Sequence, residues 1–266
     1  MNVYRVCTPH DLPALKTIWL SCFDEREDAA ELFLQRNLAT CHAYACESDG
    51  DLAAALYLIG CTLNGERAHY LCGAATLPAY RGRGIMSALI AYALKDASKR
   101  GDRYSLLLPA DEPLYRYYAR FGYRPACAIK NAVLTADTAR TVRRGTLNLT
   151  QLQTVSVISS CLIWEENFIR FAADYYGCYG ARTAQSADAF AIYQPDGGKA
   201  EVIYALYRDI DALKALLRAE NIRCFSLTGA ADDTAFEGRV ERPYGMILPL
   251  EGDAVPDDVF IGITLR

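Results

Sequence analysis

Between residues 42 and 77 the chain holds three consecutive apolar runs, His42 to Cys46, Leu52 to Leu63 and Arg67 to Leu77. Ser48-Asp49-Gly50 separates the first pair, and Asn64-Gly65 separates the second. An Asn-Gly pair favours a two-residue turn with positive φ at both positions, so the runs read as an antiparallel meander. The meander leaves through "LPAYRGRG" into an amphipathic stretch whose Ile85, Leu89, Ala93 and Ala97 keep one face apolar, flanked by Met86, Ile90 and Leu94. Gly101 lies just past its end, where a helix-terminating glycine belongs. "RYSLLLP" then reads as a short buried strand. A chain with this order must build a mixed, largely antiparallel sheet with helices packed on it.

The flanking segments extend the pattern. Val3 to Cys7 reads as a strand, and "TPHDLPALKTIWLSCF" as a helix with Thr8 as N-cap and Pro9 at its first position. Asp24 to Leu38 supplies a second helix. "DEPLYRYYARFGY" is a brief helix stopped by Gly122, and "RPACAIKNAVLTA" is expected to close the unit as a strand pair. The second half is a looser echo: a helix over "CLIWEENFIRFAADYY", a hairpin around Pro195-Asp196-Gly197-Gly198, a capped helix over "RDIDALKALLRAENI" and a strand, "RCFSLTG". The polar, cationic stretch from Thr138 to Leu149 is expected to divide two domains, residues 1–140 and 141–266.

Composition narrows the function. A net charge of -4 over 266 residues offers no basic face for nucleic acid. The apolar runs fall short of the ~20 residues that span a bilayer, and the N-terminus lacks the apolar core of a signal peptide. No membrane and a cytoplasmic location are therefore expected. The ten cysteines are scattered singly with no C-x-x-C pair, which points to reduced, buried thiols. With only three histidines and no ligand spacing, no metal site is expected.

The chemistry concentrates at Arg81-Gly82-Arg83-Gly84. A helix N-terminus exposes unpaired N–H groups and carries about half a positive charge. Glycines there admit a bulky anion to the backbone, and arginines add charge, so the stretch describes a phosphate or pyrophosphate cradle. Glycines before a helix also serve plain turns, and arginines there also sit solvated. Context favours the cradle: a strand ends at "AATLP" immediately before it, and "YRYYARFGYRPA" follows one strand later.

On these residues the chain resembles a known family. "LPAYRGRGIMSALI" is similar to the acyl-coenzyme-A motif (R-x-x-G-x-G/A) of the GNAT acetyltransferases, and "LYRYYARFGY" to that family's later Y-x-x-φ-G-F/Y segment. The resemblance covers roughly residues 3 to 130. Met86 departs from the usual glycine or alanine and is similar to the enhanced-intracellular-survival (Eis-like) branch, as is "YARFGYRPA". Members of that branch follow the catalytic domain with a second, degenerate GNAT-like domain. "RPYGMILPL" and the terminal "VFIGITLR" fit such a copy, which shows no R-x-x-G-x-G and is expected to bind no coenzyme A.

The resemblance implies transfer of an acetyl group from acetyl-coenzyme A, as co-substrate, to a primary amine. Ala75, Thr76 and Leu77 would meet the pantetheine and thioester. Arg81, Gly82 and the segment Arg83, Gly84, Ile85, Met86, Ser87 and Ala88 would hold the pyrophosphate, and Pro113 and Leu114 would line the slot. Tyr118, four residues before Gly122, would protonate the leaving thiolate, while Tyr115, Tyr117 and Tyr123 pack nearby. The base is open. The family's strand glutamate aligns with Ala68; the alternatives are the terminal carboxylate of Arg266, a water relay, His69, and Asp111 or Glu112, which could equally start a helix. The acceptor is expected to be a small-molecule or lysine amine, and a homo-oligomer is left open. A regulatory module that binds acyl-coenzyme A without turning it over is the alternative, and a wider slot for longer acyl groups is a third reading.

Overall fold

The computed structural model describes residues 1–156, 160–252 and 254–265. The first stretch of chain contains β1 (Val3–Val6), α1 (Leu12–Cys22), α2 (Glu27–Asn37), β2 (His42–Ser48), β3 (Asp51–Leu63) and β4 (Glu66–Thr76). It continues through α3 (Ile85–Lys99), β5 (Tyr104–Leu107), α4 (Glu112–Ala119) and the two-residue β6 (Arg124–Pro125). Then come β7 (Ile129–Thr135), α5 (Leu149–Ser156), β8 (Leu162–Trp164), α6 (Glu166–Gly177), β9 (Arg182–Gln185) and β10 (Ala189–Asp196). The chain ends with β11 (Lys199–Tyr207), α7 (Ile210–Ala219), β12 (Cys224–Gly229), β13 (Arg239–Glu241) and β14 (Met246–Pro249). No helix among the described residues is long and apolar enough to cross a membrane.

Two compact units result: residues 1–124 with 246–255, and residues 125–245 with 256–266. In the first, the sheet order is β1-β2-β3-β4-β5-β14-β6. The meander forms as its turns dictate, with Asp49 and Gly50 at φ 55° and 93° and Asn64 and Gly65 at 53° and 81°. β4 and β5 pair in parallel, because α3 carries the chain across the sheet between them. Ile85, Leu89, Ile90, Ala93 and Ala97 of α3 bury against Tyr44, Leu56, Leu58 and Leu71 of the strands. Tyr57, one residue out of phase, meets Trp19 and Phe33 of α1 and α2, with ring centroids 5.5 and 5.1 Å away. Helices therefore cover both faces.

Two strands differ from the sequence reading. "RPACAIKNAVLTA" closes the first sheet only through β6, which lies at its edge beside β14, whereas β7 pairs antiparallel with β12 of the second sheet. "RPYGMILPL" instead sends β14 back to β5 of the first, Met246 facing Leu107. The first unit thus ends at Arg124 and is completed by a segment more than a hundred residues later in the chain. The stretch after Thr138 is no free linker either. Arg140 and Arg143, with Arg208, converge on the buried Asp188 at 3.0, 2.6 and 3.1 Å.

The second unit's sheet runs β13-β7-β12-β11-β10-β9. Here β10 and β11 form a hairpin, α7 crosses over, and β12 lies parallel to β11. This repeats the β3-β4-α3-β5 arrangement of the first unit. Leu213, Leu216 and Leu217 of α7 pack on Ala191, Tyr193, Val202, Phe225 and Leu227. "CLIWEENFIRFAADYY" begins as the strand β8 rather than as helix, since Glu165 holds extended backbone and α6 starts only at Glu166.

Candidate active site

In the first unit the parallel pairing of β4 with β5 covers Ala68, His69 and Tyr70 and then stops. Beyond it, Ala55 faces Ala75 while Tyr57 faces Cys72, so β4 carries one extra residue around Gly73 and Ala74. Gly73 sits at φ 59°. A Cβ there would lie 2.7 Å from Trp19 Cζ3 and 2.8 Å from Tyr57 Cδ2, so only glycine fits. The bulge lies at the end of β4, and a cavity of about 490 Å³ opens beside it, walled by that strand end, the start of α3 and α4.

Ala75, Thr76, Arg81, Gly82, Gly84, Ile85, Met86, Ser87, Leu114 and Tyr118, all read from the sequence as site residues, line this cavity. Leu77, Arg83, Ala88 and Pro113 do not line it. Arg83 turns back on its own turn: its guanidinium donates to the Ala79 carbonyl at 3.0 Å, sits 3.6 Å from Asp49 and stacks 5.1 Å over Tyr80. The Ala88 N–H already donates to the Gly84 carbonyl at 3.1 Å and is the first intrahelical bond of α3. The N–H groups of Ile85, Met86 and Ser87 precede it and have no intrahelical acceptor, and no side chain caps the helix. Gly82 and Gly84 hold φ near 75° and 73°, with nothing within 4 Å of where either Cβ would stand. An uncapped helix mouth opens onto the cavity. Arg81 borders it, donating from Nε to the Thr76 carbonyl at 3.0 Å.

Tyr118 sits opposite, on α4. Its side chain is buried and its hydroxyl has no hydrogen-bond partner among the described residues. Burial raises its pKa above the ordinary phenol value, with smaller contributions from Tyr117 and Cys72. The phenol therefore stays protonated at neutral pH. Tyr117, read from the sequence as packing, also lines the cavity; it shares a 3.2 Å hydrogen bond with Ser87 and carries Arg120 4.5 Å over its ring. Tyr123 does pack, its hydroxyl paired with Ser105 at 2.5 Å.

The base candidates fall elsewhere. His69 is fully buried, with Nδ1 2.9 Å from Asp102 Oδ2 and Nε2 unpartnered. Burial lowers its pKa, against the opposing pull of Asp102, so it stays neutral. Asp111 caps α4, accepting from the Leu114 N–H at 3.0 Å, and Glu112 pairs with Arg116 at 3.3 Å. None of these three lines the cavity. Arg266 lies outside the described residues. Cys22, Phe23, Ala74, Tyr80 and Arg120 line the cavity without having been read from the sequence. Cys22 and Phe23 end α1 nearly sixty residues before the turn, and no local motif marks them. Gly73 could have been found as a glycine inside an apolar strand, a known bulge signal.

Comparison with known proteins agrees with this geometry. The family model for the acetyltransferase (GNAT) domain matches residues 3–126. A GCN5-related N-acetyltransferase from Kribbella flavida is 18% identical, covers 94% of this chain and 72% of its own, and superposes with a TM-score of 0.71. Eis1 from Mycobacterium abscessus is 16% identical, with 94% and 74% covered and a TM-score of 0.68. A GCN5-related N-acetyltransferase from Anabaena variabilis is 15% identical, with 94% and 73% covered and a TM-score of 0.69. At these identities the likeness is one of fold, and it extends over both units. No curated protein matches the sequence. Residues 3–126, just under half of the chain, match the GNAT acetyltransferase domain, and beyond them the likeness is one of fold.

Proposed function

We propose that this protein is an acetyltransferase that moves an acetyl group from acetyl-coenzyme A to the primary amine of a small molecule or lysine side chain by direct attack, with Tyr118 as general acid. The observation that carries the reading is one cavity with an uncapped helix mouth at one end and an unpaired, buried phenol on its wall. The N–H groups of Ile85, Met86 and Ser87 would hold the carrier's diphosphate, where the helix dipole favours negative charge. The bulged end of β4, from Ala74 to Thr76, would meet the pantetheine arm.

The amine nitrogen attacks the thioester carbon and the C–S bond breaks. Tyr118 gives its proton to the departing sulfur, and the proton shed by the amine returns through water to restore the phenol. No carboxylate or imidazole lines the cavity among the described residues, so the attacking amine enters in its uncharged form or loses its proton to water. An alkylamine has a pKa near ~10.4, so turnover is expected to rise with pH through the neutral range.

The second unit is proposed as a copy of the same fold that takes no carrier. Where the first unit inserts eight residues between β4 and α3, the second has only Arg208 and Asp209 between β11 and α7. Asp209 caps α7, its carboxylate accepting from the Ala212 N–H at 2.9 Å. The N-terminus an anion would need is occupied by the protein's own acid.

The test is release of free thiol from acetyl-coenzyme A over a panel of amines, with Tyr118→Phe alongside. Amine-dependent release that falls at least ~100-fold in the variant is expected. Binding of acetyl-coenzyme A with no release for any amine would favour the regulatory alternative.

A further inference from the structure

The second unit keeps the wedge even though it lacks the anion turn. Its parallel pairing ends at Val202 and Leu227, and Ile192 faces Tyr204 while Tyr193 faces Val202. One extra residue therefore bulges β11 at Ile203, where the first unit bulges β4. A cavity of about 50 Å³ lies in the gap, walled by Leu162, Leu206, Leu227 and Phe260. Roughly 10–15 Å³ accommodates one water-sized group, so there is room for about four heavy atoms.

Its polar lining is unusual. Tyr204 is 6% exposed, yet its hydroxyl has no hydrogen-bond partner among the described residues. Asp233 is 5% exposed, and its carboxylate accepts from the Tyr207 hydroxyl at 2.9 Å and the Ala235 N–H at 2.7 Å. It makes no ion pair among the described residues: Lys130 reaches its backbone carbonyl instead and stacks over Phe236. Buried carboxylates are ordinarily paired with a cation. No lysine, arginine or histidine lines the cavity, while Tyr204, Tyr207 and Phe260 bring aromatic rings to it. A carboxylate beside aromatic faces, with an idle hydroxyl and no competing base, suits a small organic cation.

We propose that this cavity binds a small primary alkylammonium ion, held by Asp233 and Tyr204. The site is separate from the acyl-transfer cavity and does not depend on that reaction. Saturation-transfer NMR on the full chain, titrated with ethylammonium chloride at constant ionic strength, tests it. Ethylammonium should receive saturation. Asp233→Asn should raise the apparent dissociation constant at least tenfold, and Tyr204→Phe, which keeps the ring, about fivefold. Ethanol and acetate should show no component sensitive to either variant. If Asp233→Asn fails to fold, Tyr204→Phe decides the matter. Absence of transfer to ethylammonium, an unchanged titration in the folded variants, or an Asp233-dependent acetate signal would overturn the proposal.

Discussion

Two glycines of the first unit, each with φ well above zero, should fail in different ways when given a methyl group. An L-residue in the left-handed region costs roughly 1–2 kcal/mol, offset by ~0.4–1 kcal/mol from the stiffer unfolded chain. At Gly84 nothing of the protein stands within 4 Å of the new Cβ, so Gly84→Ala should lose only about 1 kcal/mol of stability. At Gly73 the Cβ meets Trp19 at 2.7 Å and Tyr57 at 2.8 Å. Those rings are locked against Phe33, centroids 4.4 and 5.1 Å away, so they cannot yield. Overpacking adds ~1–3 kcal/mol, so Gly73→Ala should cost about 2–4 kcal/mol in total. Coenzyme-A binding should be affected in a different way. Gly84→Ala fills the helix mouth and should remove at least one charge-assisted hydrogen bond to the diphosphate, about 2 kcal/mol or roughly 30-fold in Kd. Urea unfolding and calorimetric titration with coenzyme A read the two quantities separately. Gly84→Ala binding coenzyme A as tightly as wild type, while remaining folded, would refute the reasoning.

Other outcomes follow from the same geometry. Tyr118→Phe should lower kcat by about 100-fold or more while leaving the Kd for coenzyme A within about twofold, since the role proposed for the hydroxyl is at the leaving sulfur and not at the diphosphate. His69 has a folded pKa below the unfolded value of about 6.5, so the unfolded chain takes up its proton first. Stability should therefore fall as pH drops below about 6.5 and level off beneath the folded pKa, a dependence absent in His69→Asn, as urea midpoints at stepped pH would reveal. Asp188→Ala should cost about 1–3 kcal/mol, because three guanidiniums lose their common acceptor; thermal melting measures it. Calorimetry should give one coenzyme A per chain, since Asp209 already caps the second unit's crossover helix.

Much of the site was readable from local chemistry. The Asn64-Gly65 turn, the helix from Ile85 and the glycines at 82 and 84 sit where short-range rules put them. The phenol at Tyr118 was found through its spacing to Gly122 within a motif. What stayed hidden is non-local. Nothing in "RPYGMILPL" says that its strand pairs with Leu107, more than a hundred residues earlier, because an apolar four-residue strand fits either sheet. Arg140 and Arg143 read only as part of a polar, cationic boundary because their partner, Asp188, is distant in sequence. Arg83 looked like a phosphate ligand because spacing says nothing of where a long side chain turns. Tyr117 and Tyr118 are neighbours of the same type, and only the cavity shows that both border it.

In the proposed complex, backbone amides at the mouth of α3 clasp the carrier's diphosphate. Amide chemical-shift mapping of the ¹⁵N-labelled chain during titration with coenzyme A tests it most directly. The resonances of Ile85, Met86 and Ser87 should move furthest, in step with saturation, while Ala212 at the start of α7 stays still. Saturable binding that leaves those three amides unmoved would place the diphosphate elsewhere.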